Sequence, residues 1–482
     1  MSLPFSLPHP DRLFIAGRWV APASGETLEV VNPATEQVMA SVAAARPADV
    51  GRAVGAARTA FDTGPWPRLA PAERAARLRV LAGALRDRQA DLAQAITLEM
   101  GATLKVSTAS CAGPPLLFDY YADMIERLPE VEPRARPGGE AYGVMEPAGV
   151  VAAIVPWNAP LNLSVLKVAP ALAAGCSVIL KAAPSTPLDA LILAECLEAA
   201  NLPEGVVSVL PAGNEAGEAL VRDPRIDKVT FTGSTETGRH IARICADRVA
   251  RVGLELGGKS AAIILDDMPI EEVVAKLLPA STMLTGQACS ALTRVLVSSA
   301  RHDAFIDAFA AALDAARVGD PFDATTDMGP IALERQRTRV EDYIAIGQAE
   351  GARLVVGGGR PPDLPRGYFL EPTLFDHVDN RMRIAREEIF GPVICVIRYE
   401  TEAEAIAIAN DSDYGLYGSV FTEDDAALWR IGRQLRTGNV ARNAVIVDRT
   451  LPYGGFKQSG LGREGGIEGL RAFQEQKIVY LS

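Results

Sequence analysis

Short apolar runs alternate with longer stretches of helical periodicity through the middle of the chain. The apolar runs cover residues 150–156, 177–181, 206–210 and 228–232. The stretches between and after them predict helices over 161–174, 187–200, 214–222 and 235–247, the first of them ending at Gly175. Strands that are apolar throughout and separated by helices indicate a parallel sheet covered by helices on both faces. The pattern therefore predicts an α/β protein.

A second series of the same kind follows. It predicts strands over 261–265 and 293–297 and helices over 270–278 and 302–317. Residues 127–141 differ, because they are rich in Pro, Glu, Arg and Gly and lack a helical period, which is typical of an extended arm. Residues 477–480 predict one more strand. A chain of 482 residues exceeds the roughly 250–300 residues that one core supports, so two or three packed units are expected.

Composition excludes several classes of partner. The formal net charge of −12 argues against a nucleic-acid surface or an anionic membrane surface, both of which need clustered Lys and Arg. No stretch approaches the ~20 uninterrupted apolar residues of a membrane span, and residues 1–11 do not follow the signal-peptide pattern. The six cysteines are scattered, which is typical of a reducing compartment. We therefore expect a cytoplasmic protein.

The residues also exclude two kinds of catalytic site. The four histidines lie far apart, so a zinc site built on paired histidines is not expected, and no metal is predicted. The Gly-x-Ser-x-Gly motif of serine hydrolases does not occur. The question is then whether a cysteine could act as a nucleophile without a histidine base.

Cys289 and Glu255 are the two residues whose surroundings suggest chemistry. Cys289 follows Gly286 and is flanked by Ala288 and Ser290, small residues that allow backbone to approach a ligand closely. Taken alone, Cys289 would be interpreted first as a small buried hydrophobic residue. Glu255 ends an apolar run and precedes two glycines; a salt-bridged glutamate at a strand end would fit as well as a base whose pKa burial raises.

Residues 231–238 follow a predicted strand and open a predicted helix. The glycine-containing turn would present backbone N–H groups of a helix N-terminus to a phosphate group. The segment lacks the Gly-x-Gly-x-x-Gly fingerprint of dinucleotide-binding proteins, so by itself it is a weak signal.

Seven motifs in order give the chain a specific resemblance. They are Val155-Pro-Trp-Asn158, Lys181 after its strand, Phe231–Ser234, Glu255-Leu-Gly-Gly-Lys259, Gly286-Gln-Ala-Cys289, Glu387-Glu-Ile-Phe390-Gly-Pro392 and Pro452-Tyr-Gly-Gly-Phe-Lys457-Gln-Ser-Gly460. Over nearly its whole length the sequence resembles the NAD(P)-dependent, hydrolytic aldehyde dehydrogenases. The resemblance implies an aldehyde dehydrogenase-like α/β fold of three units. These are a Rossmann-like cofactor domain (1–128 and 148–257), an α/β catalytic domain (258–466) and a β oligomerisation arm (129–147 and 467–482).

The resemblance implies a role for each catalytic residue. Cys289 would attack the aldehyde to give a thiohemiacetal and then a thioester, while Asn158 and the backbone N–H of Cys289 hold the oxyanion. Glu255 would activate the water that hydrolyses the thioester, and Lys167 would assist a proton relay. Relatives that transfer the acyl group to coenzyme A lack this glutamate, so its presence favours hydrolysis.

The resemblance also implies the residues that bind NAD or NADP. Lys181 would reach the adenosine ribose, Ser234 the pyrophosphate and Glu388 the nicotinamide ribose, with Phe390 beside the nicotinamide. The full set is Val155, Pro156, Trp157, Lys181, Ala183, Pro184, Gly213, Gly217, Phe231, Thr232, Gly233, Ser234, Leu256, Gly257, Glu388 and Phe390. Where the family commonly has Lys-Pro-x-Glu, this chain has Lys181-Ala-Ala-Pro184 and lacks the carboxylate that would repel an extra phosphate. NAD is the preferred expectation, with NADP left open.

Other departures concern the substrate tunnel. The expected lining is Ala159, Asn162, Leu166, Ala288, Ser290, Ala444 and Ile446. A Trp and an aromatic residue common in the family are replaced by Leu166 and Ala159, and an Asn common five residues before the nucleophile is Leu284. This lining predicts an uncharged aliphatic, terpenoid or aromatic aldehyde, although Arg442 is a candidate to pair with a substrate carboxylate.

Two other functions stay open. One is a coenzyme A-dependent semialdehyde dehydrogenase, which a requirement for coenzyme A would reveal. The other is a non-catalytic scaffold protein, which the joint presence of Cys289, Glu255 and Asn158 disfavours. The expected partners are a small-molecule aldehyde and further copies of the chain, as a homodimer or homotetramer, because the family's tail strand pairs across subunits.

Overall fold

The computed structural model describes residues 3–481. Its helices are α1 Pro47–Asp62, α2 Pro71–Asp87, α3 Gln89–Met100, α4 Leu104–Cys111, α5 Gly113–Arg127, α6 Pro160–Ala174, α7 Leu188–Ala199, α8 Asn214–Arg222, α9 Thr235–Asp247, α10 Ile270–Thr282, α11 His302–Asp314, α12 Glu334–Ala349, α13 Arg383–Arg386, α14 Glu402–Asn410, α15 Asp425–Gly432 and α16 Gly466–Arg471. Short 3₁₀ turns cover Trp66–Arg68 and Met283–Gly286.

The strands are β1 Leu13–Ile15, β2 Arg18–Val20, β3 Thr27–Asn32, β4 Gln37–Ala43, β5 Val131–Arg134, β6 Glu140–Pro147, β7 Val150–Ile154, β8 Ser177–Ala182, β9 Val207–Pro211, β10 Lys228–Thr232, β11 Arg251–Glu255, β12 Ser260–Ile264, β13 Leu292–Ser298, β14 Arg353–Val356, β15 Thr373–Asp376, β16 Val393–Tyr399, β17 Tyr414–Gly415, β18 Tyr417–Phe421, β19 Asn439–Arg442, β20 Phe456–Lys457, β21 Gly460–Leu461 and β22 Gln474–Leu481. The α/β class predicted from the sequence is confirmed.

The first sheet has the order β2-β1-β9-β8-β7-β10-β11-β21, and its five central strands are parallel. The apolar strand β7 explains why helices cover both faces. Val151 and Ala153 pack into one hydrophobic cluster, and Val150, Ala152 and Ile154 pack into another on the opposite face. A strand buried on both faces has no polar side, so it appears in the sequence as an uninterrupted apolar run.

The second sheet has the order β14-β15-β16-β13-β12-β18-β19 and is parallel except at β14. Strand β12 also contributes side chains to two hydrophobic clusters, with Ile263 on one face and Ala262 and Ile264 on the other. The two sheets are joined directly, since only four residues separate β11 from β12. We call the parts of the chain built on the first and second sheets the first and second units. The carboxyl end of β11 therefore lies where these two units meet.

The predicted arm is a three-stranded antiparallel sheet, β22-β6-β5. Its last strand has apolar side chains open to solvent, with Ile478 and Tyr480 42% and 66% exposed. The tail is not all arm, however. Leu470 and Phe473 are buried in the core of the first unit, and β21 pairs with β11 of the first sheet. The C-terminal region thus crosses back over the first unit before it reaches the arm.

No helix within residues 3–481 is both long and apolar enough to cross a membrane.

Candidate active site

A cavity of about 920 Å³ opens where the two sheets meet. Loops that follow β7, β10 and β11 form one side of it, and the segment before β13 forms another. Ligands in open α/β sheets bind beyond the carboxyl ends of the strands, where the loops diverge. The position of the cavity is thus a consequence of the fold.

Cys289 lies on the wall of this cavity. Of the six cysteines, all within the described residues, five are buried and Cys289 is partly accessible. The preceding turn needs its glycine: Gly286 has φ +72°, and a Cβ there would lie 2.2 Å from the carbonyl carbon of Gly391. The small residues noted in the sequence therefore allow the turn to approach a neighbouring loop.

Two polar groups lie beside the thiol. The Tyr453 hydroxyl is 3.7 Å from Cys289 Sγ, within reach of a hydrogen bond to sulfur. The Asn158 Nδ2 group donates to the carbonyl oxygen of Gln287 at 2.9 Å. One such bond leaves the amide a second hydrogen, and Asn158 also lines the cavity. Asn158 can therefore donate to a ligand while it holds the turn that carries Cys289.

Burial raises the pKa of the Cys289 thiol well above its usual value, and the nearby Glu255 carboxylate raises it further. The hydrogen bond from Tyr453 acts in the opposite direction. The thiol is therefore protonated at neutral pH in the structure as it stands. It needs a base, or a positive charge brought by a ligand, to become a nucleophile.

Glu255 is the last residue of β11 and is buried on the cavity wall. The strand is fixed there from the other side, because the backbone N–H of Leu256 donates to the carbonyl of Ser459 at 2.9 Å. Burial raises the pKa of Glu255 well above its usual value, Glu464 raises it further, and Lys167 lowers it. Its Oε1 has no hydrogen-bond partner among residues 3–481. An orphaned carboxyl oxygen at a cavity wall is suited to accept a proton from a ligand or water.

A buried ion pair lies behind Glu255. Lys167 on α6 pairs with Glu464 and donates to Thr232 Oγ1 at 2.6 Å. Glu464 lines the cavity, although Lys167 does not. The pair links the base to a second carboxylate inside the protein.

The N-terminus of α9 lies on another wall of the cavity. Ser234 caps the helix by accepting a hydrogen bond from Thr237 N at 3.2 Å, and residues 232–236 line the cavity. Gly233 cannot carry a side chain, because a Cβ would lie 2.4 Å from the Phe231 ring. The first backbone N–H groups of α9, which have no partner within the helix, and the positive end of the helix dipole favour a phosphate at this point.

Glu388 and Phe390 complete the same wall. Glu388 accepts a hydrogen bond from Gly258 N at 2.8 Å, and burial raises its pKa to about 7. A Cβ on Gly257 would lie 2.3 Å from Glu388 Oε2. The rings of Phe390 and Trp157 meet edge to face at 5.5 Å. This wall combines a carboxylate suited to hydroxyl groups with aromatic surface suited to a flat ring.

The cavity brings together most of the residues predicted from the sequence. It is lined by Cys289, Glu255, Asn158, Pro156, Trp157, Thr232, Gly233, Ser234, Leu256, Gly257, Glu388, Phe390, Ala159, Leu166, Ala288 and Ser290. It does not include Lys167, Val155, Lys181, Ala183, Pro184, Gly213, Gly217, Phe231, Asn162, Ala444 and Ile446. Lys181 is close to Gly217, where a Cβ would lie 3.8 Å from Lys181 Cε, and burial lowers the pKa of this lysine to about 8. Lys181 and Gly217 thus form a separate cluster outside the cavity.

Ala444 and Ile446 depart from the prediction, because Val447 lines the cavity while Ile446 is exposed to solvent. Asn162 instead donates to Ser110 Oγ at 2.5 Å, and Ser110 is the residue that faces the cavity. Arg442, the candidate partner of a substrate carboxylate, lies outside the cavity and pairs with Asp425 at 2.5 Å.

Sequence reasoning missed Tyr453, Glu464 and Arg449, all of which line the cavity. Tyr453 lies in the motif of residues 452–460, to which the resemblance assigns no role. Arg449 is partly buried, burial lowers its pKa, and its Nε has no partner among the residues described. Within residues 3–481, no three His, Cys, Asp or Glu side chains lie close enough together to bind a metal ion.

The chain is similar to known proteins over nearly its whole length. The pattern that describes the aldehyde dehydrogenase family matches residues 19–479. The chain is 45% identical to geranial dehydrogenase of Castellaniella defragrans, over 98% of each chain. It is 42% identical to 3-succinoylsemialdehyde-pyridine dehydrogenase of a Pseudomonas species, over 97% of each.

Solved structures show the same likeness. The fold matches an aldehyde dehydrogenase of Mycobacterium tuberculosis complexed with NAD⁺, with a TM-score of 0.97, 46% identity and 99% of both chains covered. It also matches betaine aldehyde dehydrogenase of Staphylococcus aureus in complex with NAD⁺, with a TM-score of 0.96 and 38% identity over 98% of this chain and 95% of the other.

Proposed function

Because the chain belongs to the aldehyde dehydrogenase family, we propose that it oxidises an uncharged, apolar aldehyde to the carboxylic acid through Cys289. It is an NAD(P)-dependent aldehyde oxidoreductase. The observation that carries the proposal is the meeting of Cys289, Glu255 and Asn158 on one cavity wall. A cysteine beside a buried, unpartnered carboxyl and an amide donor is the set of groups that acyl chemistry on sulfur requires.

The first step is attack of the Cys289 sulfur on the aldehyde carbon. The thiol proton passes to Glu255 or to water, because the raised pKa of the thiol prevents spontaneous ionisation. The carbonyl oxygen becomes an alkoxide, held by the free Asn158 amide hydrogen and the backbone N–H of Cys289. A thiohemiacetal on Cys289 results.

Oxidation of this adduct leaves a thioester on Cys289, which must then be hydrolysed. Glu255 takes a proton from water, and the hydroxide attacks the thioester carbon to release the carboxylate and the thiol. The acquired proton can pass to the Lys167–Glu464 pair behind Glu255. Hydrolysis, and not acyl transfer to coenzyme A, is favoured because this base is present.

The residues of the cavity fit a nicotinamide dinucleotide. The α9 N-terminus at Ser234 would hold the pyrophosphate, Glu388 the nicotinamide ribose and Phe390 the flat ring. Lys181 and Gly217, which lie together outside the cavity, would be at the adenosine ribose. When bound, this cofactor supplies the hydride acceptor for the oxidation. The cofactor is NAD, which the solved relatives carry. The missing carboxylate in Lys181-Ala-Ala-Pro184 leaves room for NADP as a second cofactor.

The substrate class is proposed from the cavity wall. Leu163, Leu166, Val106 and Val447 line the cavity together with Ala159, and these side chains offer apolar surface to an apolar chain. The geranial dehydrogenase relative points to the same class. The test is an aldehyde panel of aliphatic, terpenoid and aromatic members with NAD and with NADP, followed by absorbance of the reduced cofactor. Absence of turnover with every member would refute the proposal.

Arg449 favours a second candidate, an aldehyde that also carries a carboxylate. We expect the apolar aldehyde to have the higher kcat/KM, because apolar side chains outnumber this single cation on the substrate side. Arg449→Met should lower kcat/KM for a length-matched carboxylated aldehyde by about tenfold, the loss of one charge-assisted contact, and leave the apolar aldehyde unchanged. A carboxylated aldehyde that is turned over faster by the parent enzyme would establish the second candidate instead.

The arm is proposed to join subunits into a homodimer or homotetramer. Ile478 and Tyr480 on β22 leave apolar surface open, and an edge strand of this kind pairs with another chain unless it is protected. The double variant Ile478→Asp and Tyr480→Asp should shift the protein to monomer in analytical ultracentrifugation. Trp429→Asp, at an apolar residue on α15 that is more exposed than either, should leave the oligomer intact. A parent enzyme that is already monomeric would refute the assignment.

All six cysteines are free thiols in the structure. This agrees with a reducing compartment, and we propose the cytoplasm.

A further inference from the structure

The turn before the nucleophile has an unusual backbone. Leu284, Thr285 and Gly286 have φ of 50°, 58° and 72°, so three consecutive residues lie in the left-handed region. Only glycine adopts this region freely, and Asn and Asp tolerate it because their side chains bond locally. Leucine has neither property, so Leu284 is held in a conformation that its side chain disfavours.

The surroundings of the turn explain how the conformation persists. Gln287 donates to the carbonyl of Leu284 from its backbone N–H at 3.1 Å and from its side chain at 3.0 Å. The Gln287 side chain also accepts from Ala332 N at 3.0 Å. Thr285 Oγ1 donates to the carbonyl of Gly329 at 3.0 Å. These bonds fix the backbone whatever the side chain of residue 284 is.

Thr285 is compensated by its own hydrogen bond, but the apolar side chain of Leu284 can form none. An asparagine at 284 would suit the backbone better. The side chain of Leu284 must therefore make contacts that offset the strain in its backbone. Strain of this kind, kept in place by its surroundings, is concentrated at functional sites.

The contacts of Leu284 are made on the cavity wall. Its side chain lines the cavity, is partly buried, and packs against the hydrophobic cluster that contains Leu166. It therefore extends the apolar wall of α6 onto the segment that carries Cys289.

We propose that Leu284 is a specificity-determining residue, held in a strained backbone conformation so that its side chain contacts the apolar chain of the aldehyde. The inference rests on the proposed function and adds to it a residue that selects long apolar substrates. A substitution that relieves the strain at residue 284 should therefore preserve the stability of the fold and weaken the binding of an apolar substrate chain.

The test compares Leu284→Asn with Leu166→Ala. Leu166 lines the same cavity from a regular helix, so it serves as an unstrained control. Both variants should lower the ratio of kcat/KM for an eight- to ten-carbon aldehyde to that for a two-carbon aldehyde, by about tenfold. Leu284→Asn should have a melting temperature no lower than the parent enzyme, whereas Leu166→Ala should melt at least ~4 °C lower.

Three results would overturn the inference. The first is an unchanged ratio in Leu284→Asn. The second is a fall in its melting temperature equal to that of Leu166→Ala, which would make Leu284 an ordinary packing residue. The third is an equal loss of activity with the two-carbon aldehyde, which would mean that residue 284 acts by holding Cys289. Turnover of apolar aldehydes by the parent enzyme is measured beside them, so failure of the proposed function is seen separately.

Discussion

Cys289→Ala is expected to abolish aldehyde oxidation, with a fall in kcat on the order of 10⁴ or more. The reaction needs a covalent bond to carbon before the hydride can leave, and alanine cannot form one. Because Cys289 is only partly buried and its side chain lies against a cavity, the loss of one sulfur should disturb the fold little. The measurement is the steady-state formation of reduced cofactor with the best aldehyde of the panel.

The matched control is Cys245→Ala, which removes the sulfur of a buried cysteine in the core of the first unit. This variant should keep its activity. A thiol-alkylating reagent supplies an independent check, since Cys289 is the cysteine that solvent can reach and the other five are buried. Modification of one thiol per chain should inactivate the parent enzyme. Activity that survives in Cys289→Ala would contradict the assignment of the nucleophile.

Much of the fold could be predicted because its elements are stopped by local signals. Helices α8 and α9 and strand β10 have the predicted bounds, and α6 ends at Gly175, which adopts the left-handed conformation with φ 93°. Helix α10 instead runs four residues past its predicted end at 278. Ala280 and Ser281 are buried in the core, and this packing outweighs the hydrogen bond lost at Pro279.

The site was predictable where a single sequence motif contains both the functional side chain and the strand end or turn that positions it. Cys289, Glu255 and Asn158 each stand at the end of a strand or turn that the sequence defines, so their meeting follows from the parallel sheets. The cavity-facing positions between 444 and 453 were not predictable, because this loop has no period. Val447 and Arg449 reach the cavity, whereas Ile446 points to solvent and Arg442 lies outside the cavity. The left-handed backbone at Leu284 also has no sequence signal, because leucine is not expected there.

Glu255→Gln should separate the two halves of the reaction. The amide has nearly the same shape but cannot take a proton, so hydrolysis of the thioester should slow by about 10²–10⁴-fold. Attack by sulfur can still proceed, because water can accept the thiol proton. Rapid mixing with NAD and aldehyde should therefore give a burst of about one reduced cofactor per chain, followed by a slow steady state. A full-rate steady state would exclude Glu255 as the base, and a missing burst would place it in activation of the thiol.

The pH profile gives the same assignment a second test. Burial raises the pKa of Glu255 well above its usual value, so the carboxyl is protonated and inactive as a base at low pH and gains activity as pH rises through that raised pKa. The pKa of Cys289 is raised as well, so the burst rate should also increase with pH. In the parent enzyme the pH dependences set by Glu255 and by Cys289 overlap. They can be measured separately, because Glu255 acts in the steady state and the Cys289 thiol in the burst. In Glu255→Gln the burst should keep its dependence on the thiol, while the slow phase loses the rise that belongs to the carboxyl. A steady-state profile with the same rise in parent and variant would mean that another group, such as Glu464, which pairs with Lys167, is the base that limits turnover.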